Sequence, residues 1–244
     1  MNTQQALHLN LNCSASLLAV LLSVGYSPAS GAEPLKIPPR DPKARPELID
    51  LSAHYNAALT DSWHPASNMA GETGNDLSEL PGGVQKLDGI EFDLRGLIQV
   101  SGSGGQNSRG PFPEAAKGIK VGLRCARLHF LHGTGFVDRE GQKIGSYTIH
   151  YADGQTVEIP IAYGEDVRDW WAYPQMAKET KRATVAWSGK NKATQANGLG
   201  LQLFRRPWDN PRPDVLIESI DFSACKAGSI PFLIAITAES PRKP

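Results

Sequence analysis

The sequence has no surplus of charge of either sign. It contains 25 Lys and Arg residues and 25 Asp and Glu residues, so its formal net charge is zero. A protein that binds nucleic acid or an anionic membrane through a broad surface needs a basic excess. The balance therefore argues against both of these partner classes, although a small charged patch is compatible with it.

Motifs for nucleophilic and phosphate chemistry are missing. There is no Gly-x-Ser-x-Gly elbow, and the Gly-rich stretch 101–105 continues without the Gly-Lys-Ser/Thr ending of a phosphate loop. The three cysteines lack Cys-x-x-Cys spacing, which argues against a zinc or redox site. Cys125 and Cys225 are interpreted as buried free thiols, with a disulfide as the alternative in an oxidising compartment.

Long apolar runs are absent as well, and the clearest short one lies near the N-terminus, at residues 17–24. It is too short to span a bilayer. Pro28 and small residues up to Ala32 follow it, which is typical of a signal peptide, although no Lys or Arg precedes the run. We predict a signal peptide over 1–32, export to the periplasm or beyond the cell, and no membrane span in the mature protein.

The remaining chain divides into a linker, one domain and a tail. Five prolines between residues 33 and 46 predict an extended linker. Residues 47–239 contain about eight segments of alternating apolar and polar residues, such as 90–95 and 126–130, separated by turns rich in Gly and Pro. One turn, at Asp153 and Gly154, predicts a β-hairpin. The pattern indicates a single all-β sandwich or barrel over 47–239, with 240–244 as a frayed tail.

Several segments resemble, in this order, the galactose-binding-like domains of large secreted or envelope proteins of planctomycete and verrucomicrobial type. The matching segments are 80–83 (LPGG), 92–99 (FDLRGLIQ), 128–132 (LHFLH), 151–154 (YADG), 163–170 (YGEDVRDW), 208–211 (WDNP), 220–222 (IDF) and 231–237 (PFLIAIT). The resemblance spans about 48–239. It implies a two-sheet antiparallel jelly-roll sandwich that serves as an accessory module, and it transfers no catalytic residue.

Aromatic residues beside polar ones mark the candidate site. Sugars bind to aromatic faces while Asp, Asn and Arg hydrogen-bond their hydroxyl groups. This pattern predicts a ligand site formed by Trp170, Trp171, Tyr173, Trp208, Asp166, Arg168 and Asp169. We expect a non-catalytic, exported, carbohydrate-binding module. The alternatives are a module that binds a protein or scaffolds the envelope, and a glycan hydrolase, which would need two carboxylates across a cleft.

Each candidate residue also has a purely structural interpretation. A Trp near a loop often closes the open end of a sandwich core. The acids Glu165, Asp166 and Asp169 around Arg168 predict a salt-bridged loop, with a structural calcium ion as the alternative. His129 and His132 are three apart on a predicted strand, so they should point to opposite faces and fill separate packing or hydrogen-bonding roles.

Overall fold

The computed structural model describes residues 35–63, 74–101, 112–176 and 179–240. The predicted signal peptide and residues 241–244 lie outside this range. Within the described residues, no helix is both long enough and apolar enough to cross a membrane.

The described chain is nearly all β, as the sequence predicts. The short helix α1 (Lys192–Ala196) is capped by the Asn191 side chain, which accepts a hydrogen bond from the backbone N–H of Thr194. The strands are β1 (Ala57–Ala58), β2 (Gly83–Leu87), β3 (Ile90–Leu94), β4 (Gly96–Gln99), β5 (Ala115–Leu123), β6 (Arg127–Gly135), β7 (Lys143–Tyr151), β8 (Thr156–Ala162), β9 (Trp171–Ala172), β10 (Thr184–Gly189), β11 (Gly200–Asp209), β12 (Ile217–Ala224) and β13 (Ile230–Glu239).

Two antiparallel sheets form the sandwich. The larger sheet has the order β1-β4-β13-β6-β11-β10, and β9 pairs with one end of β11. The smaller sheet has the order β5-β12-β7-β8. The Tyr147 ring lies between them and stacks on Phe130 and Phe222, with ring centroids 4.0 and 5.1 Å apart. This architecture confirms the predicted jelly-roll sandwich.

Alternation along the strands assigns side chains to two cores. On β6, Leu128 and Phe130 belong to the core between the two sheets, whereas Leu131 faces a second core on the outer side of the larger sheet. The hairpin β2–β3 covers that outer side with Phe92 and Leu94. The molecule therefore has a third layer, which the strand pattern of the sequence does not reveal.

Trp170 fills the second core. Its side chain is 1% exposed, and its ring centroid lies 4.9 Å from that of Trp63 and 5.9 Å from that of Phe232. The predicted role of Trp170 in ligand contact is therefore wrong, because its ring is covered on all sides. The structural interpretation, a Trp that closes a core beside a loop, describes it correctly.

Residues 35–46, which the sequence predicts as a linker, contact the sandwich. The Arg40 guanidinium lies 3.2 Å from the Asp93 carboxylate and also donates a hydrogen bond to the Leu48 carbonyl oxygen. Asp93 is shared with Arg95, at 2.9 Å. This segment and the sandwich belong to one compact unit.

Replacing Trp170 by Ala should lower the free energy of unfolding by about 3–5 kcal/mol, because it removes a large buried ring and leaves a cavity in the second core. Urea denaturation of the two proteins would measure the difference. Val84→Ala is the control, because Val84 is 42% exposed and a surface substitution should change the free energy by less than about 0.5 kcal/mol. Equal effects of the two substitutions would contradict this assignment.

Candidate functional site

The loop 163–170 is fixed between two strands of the larger sheet. The backbone N–H of Trp170 donates to the Thr134 carbonyl at the end of β6, and the backbone N–H of Gln202 on β11 donates to the Trp170 carbonyl. The Gln202 side-chain amide also donates to the Asp169 carbonyl, at 2.9 Å. These contacts hold the C-terminal half of the loop in one conformation.

The start of the loop turns sharply at Gly164. This residue has a φ of +76°, and a Cβ atom there would overlap the Glu140 carboxylate. Glu140 in turn binds Arg168 through both of its oxygens, at 2.5 and 3.2 Å. A glycine at 164 therefore lets Glu140 approach closely enough to neutralise Arg168.

Asp166 lies at the centre of a buried ion network. Its carboxylate accepts hydrogen bonds from Arg182 at 2.8 and 2.6 Å, from Arg206 at 2.6 Å, and from the backbone N–H of Ala162 at 2.8 Å. Burial by itself would raise the pKa of Asp166, but the hydrogen bonds and the two guanidinium charges lower it below its ordinary value. With every oxygen engaged and no exposed surface, Asp166 does not contact a ligand, which corrects its predicted role.

A small pocket lies on the other side of the loop. We call it the loop pocket; it is lined by Tyr163, Arg168, Asp169, Trp171, Tyr173, Met176 and Gln202. Its interior measures about 10 Å³, which is room for one water molecule or one small chemical group. Four of the seven predicted site residues meet here, namely Arg168, Asp169, Trp171 and Tyr173.

Asp169 is the ionisable group with the most unusual environment in the loop pocket. It is 6% exposed, and its carboxylate accepts a hydrogen bond from the backbone N–H of Trp171 at 3.1 Å. Burial raises the pKa of Asp169 to about 7, and the backbone N–H groups of Trp171, Trp170 and Phe136 offset only part of that effect. A buried carboxyl with such a raised pKa in a pocket is typical of functional sites.

Two half-buried aromatic rings form one wall of the loop pocket. The centroids of Trp171 and Tyr173 are 6.4 Å apart, with the rings tilted by 37°. The indole N–H of Trp171 donates to the side-chain oxygen of Asn75, at 3.1 Å. Asn75 is itself held by the side chain of Asn191, at 3.2 Å. These two hydrogen bonds therefore fix the orientation of the Trp171 ring.

Trp208 lies far from the loop pocket, contrary to the sequence prediction. Trp171 pairs with Leu201 at one end of β11, and Trp208 is seven residues further along that strand, a separation of about 23 Å. The Trp208 side chain packs against the core between the two sheets. Its neighbour Asn210 is buried and accepts a hydrogen bond from the Tyr151 hydroxyl, at 2.6 Å.

The loop acids do not suit a calcium ion. The oxygens of Glu165 accept from Lys181 and Arg182, and those of Asp166 from Arg182 and Arg206. Within the described residues, no group of three or more His, Cys, Asp or Glu side chains is placed to hold a metal. Two of the three loop acids are therefore occupied by cationic side chains, which leaves Asp169 as a single carboxylate.

The histidines and cysteines occupy separate structural positions. His129 contacts Glu239 at 3.1 Å, whereas His132 contacts the Tyr147 hydroxyl and the Asp166 carbonyl, each at 3.0 Å. The two histidines thus have different surroundings on opposite faces of β6, as predicted. Cys125 and Cys225 are free thiols; Cys125 is buried, and Cys225 is half-buried.

Sequence reasoning missed four residues of the site. Tyr163, Met176 and Gln202 line the loop pocket, and Asn75 orients Trp171 from a segment nearly 100 residues away. Gln202 carries no distinguishing signal, because a polar residue between Leu201 and Leu203 fits the ordinary alternation of a half-buried strand. Its burial, at 6% exposed, is visible only in the structure. No pattern in the sequence connects Asn75 to Trp171.

No protein-family model matches the chain, and no curated protein is significantly similar to it. The resemblance to galactose-binding-like domains stays a prediction from short motifs. The chemistry of the loop pocket is therefore the basis for a proposed function.

Replacing Asp166 by Ala should lower the free energy of unfolding by about 3–5 kcal/mol, because two arginines would lose the partner of a buried ion pair. Chemical denaturation at pH 7 measures the change. The control is Glu158→Gln, which breaks the surface pair with Lys143 and should cost less than about 1 kcal/mol. A mild effect at Asp166 would contradict the central role of this network.

The buried Asp169 should make the free energy of unfolding fall as the pH rises. Its pKa in the folded chain, about 7, exceeds its ordinary value of 3.8, so the folded state binds the extra proton between these values. The stability of the wild type relative to Asp169→Asn should therefore decrease between about pH 4 and pH 7, by about 2–4 kcal/mol. Denaturation series at several pH values would measure this difference.

The buried His132 has the opposite effect on the free energy of unfolding, which it makes rise with pH between about 4 and 6.5, because burial lowers its pKa to about 4. Both proteins contain His132, so its contribution cancels in the comparison. A difference that does not change with pH would show that the Asp169 carboxyl is not buried in this way.

Proposed function

We propose that this protein is an exported, non-catalytic binding module whose ligand is a carbohydrate. The observation that carries the proposal is the loop pocket, where the half-buried rings of Trp171 and Tyr173 lie beside the buried carboxyl of Asp169. Aromatic rings pack on the C–H surface of a sugar, and a carboxylate accepts hydrogen bonds from its hydroxyl groups. Both kinds of contact are available at one place.

A larger groove next to the loop pocket offers space for a saccharide chain. We call it the β10 groove; it has a volume of about 760 Å³ and is lined by Ala172, Pro174, Val185, Ser188, Gly189, Lys190, Gln195, Gly198, Leu199, Gly200, Leu201 and Gln202. Its size lies in the usual range of ligand sites. Because Gln202 lines both cavities, we propose that sugar units occupy the groove and the pocket mouth, with one substituent reaching Asp169.

The rigidity of the aromatic wall favours binding. The Trp171 ring is fixed by the hydrogen bond from its indole N–H to Asn75, and the Trp171 backbone by the bond to Asp169. Stacking on a ring that is already fixed costs less conformational entropy than stacking on a ring that becomes ordered on binding.

The surrounding acids favour binding over glycan hydrolysis. A glycosidase of the usual kind needs two carboxyl groups facing each other across the substrate. Among the described residues that line the loop pocket, Asp169 is the single carboxylate. Glu140, Glu165 and Asp166 are each paired with Arg or Lys.

A protein-binding or envelope-scaffold role is the second candidate, and the edge of the larger sheet favours it. Strand β10 pairs with β11 and, in the described part of the chain, with no other strand. Val185 on this strand is 40% exposed. An exposed edge strand can pair with an extended segment of a partner protein.

Titration calorimetry against a panel of oligosaccharides would test the proposal. Trp171→Ala should weaken binding by about tenfold or more, because it removes the central aromatic contact. The matched control is Trp208→Ala, which removes the same side chain from the other end of β11 and should change the affinity less than about twofold.

Absence of binding to every saccharide in the panel would contradict the carbohydrate proposal and favour the protein-binding alternative. Equal weakening by both Trp substitutions would place the binding surface outside the loop pocket.

A further inference from the structure

We propose that the group entering the loop pocket is a protonated amine, so that the preferred ligand is an amino sugar. This inference rests on the proposed carbohydrate-binding function and specifies its ligand.

Asp169 differs from the other acids around the loop in lacking a cationic partner. Glu165 pairs with Lys181 and Arg182, and Asp166 with Arg182 and Arg206. Within the described residues, no Lys, Arg or His nitrogen lies within salt-bridge distance of the Asp169 carboxylate, which is held by backbone N–H groups. When ionised, Asp169 is a buried negative charge that a cationic group of a ligand would compensate.

Arg168 is the nearest candidate for that missing partner, but its charge is already neutralised. Its guanidinium binds both oxygens of Glu140 and donates to the carbonyl oxygen of Glu179, at 2.7 Å. It also lies over the ring of Tyr163, 5.8 Å from the centroid. Arg168 therefore forms part of the pocket wall without compensating Asp169.

The aromatic wall suits a cation. Trp and Tyr faces attract ammonium groups through their ring quadrupoles, most strongly where water is excluded. Trp171 and Tyr173 line the pocket next to Asp169. Burial and the neighbouring carboxylate raise the pKa of Tyr173 to about 12, so its hydroxyl stays neutral and adds no competing charge at physiological pH.

The size of the loop pocket restricts the group that enters. An interior of about 10 Å³ admits a single small group and excludes a sugar ring or an acetamido substituent. A hydroxyl fits and can donate to Asp169, but it leaves the buried charge uncompensated. A carboxylate or sulfate is repelled. A primary ammonium satisfies the size, the charge and the hydrogen-bonding requirement together.

The test compares three trisaccharides in titrations of the full chain at pH 7. Chitotriose carries free amines, triacetylchitotriose carries the same sugars with blocked amines, and cellotriose carries hydroxyls. We expect chitotriose to bind about tenfold tighter than the other two. Asp169→Asn should abolish that preference.

Glu165→Gln is the matched control, because it removes the same charge from the same loop at a residue already paired with cations. It should retain the preference for chitotriose. If it abolishes the preference as Asp169→Asn does, the selectivity comes from the overall charge of the loop, and the inference is overturned. Tyr173→Ala provides a second variant, which should weaken the preference without removing the carboxylate.

The outcomes separate the two proposals. If the three trisaccharides bind equally, carbohydrate binding stands and the amine inference fails. If none binds, the carbohydrate proposal fails, and a titration with methylammonium decides the inference. A shift of the Trp171 indole N–H resonance in the wild type, absent in Asp169→Asn, supports an amine pocket; an unchanged resonance overturns it.

Discussion

The buried carboxylate of Asp166, held between Arg182 and Arg206, connects three separate parts of this end of the sandwich. Arg206 lies on β11, Arg182 precedes β10, and the Asp166 carbonyl accepts from His132 on β6. The charges of the buried Asp166 and the largely buried Arg206 cost desolvation energy, which only a complete set of hydrogen bonds offsets. The network therefore ties the first half of the loop to the neighbouring strands, while the contacts of Asp169 and Trp170 with Thr134 and Gln202 hold the second half.

Neighbouring residues of this loop have different surroundings. Trp170 and Trp171 both pack on the second core, yet Trp170 is fully buried in it, whereas Trp171 is half-buried and lines the pocket. The acids divide in a similar way, since Asp166 is neutralised by arginines and Asp169 is not. A buried carboxylate without a cation lowers stability, and such unfavourable groups are characteristic of binding sites.

Strands that alternate between apolar and polar residues were the easiest to predict, although β6 and β13 are buried on both faces. The alternation in 90–95 and the turn at Asp153 and Gly154 correspond to β3 and to the β7–β8 hairpin. Strand β5 was not predicted from the sequence. Its buried residues Ala116, Ile119 and Val121 do not alternate regularly, because register shifts interrupt the pairing of β5 with β12. The third layer was not predicted either, because alternation shows that a face of a strand is covered but does not show which element covers it.

The sequence by itself determined the all-β class, the approximate strands and the loop in which the candidate site lies, because these follow from local periodicity and residue chemistry. Only the tertiary structure decided which residues of that loop share a pocket. It separated Trp208 from Trp171 along β11, buried Asp166 among arginines and brought Asn75 to the Trp171 indole. Exposure, ion pairing and pKa depend on contacts between segments distant in the chain, which no local pattern records.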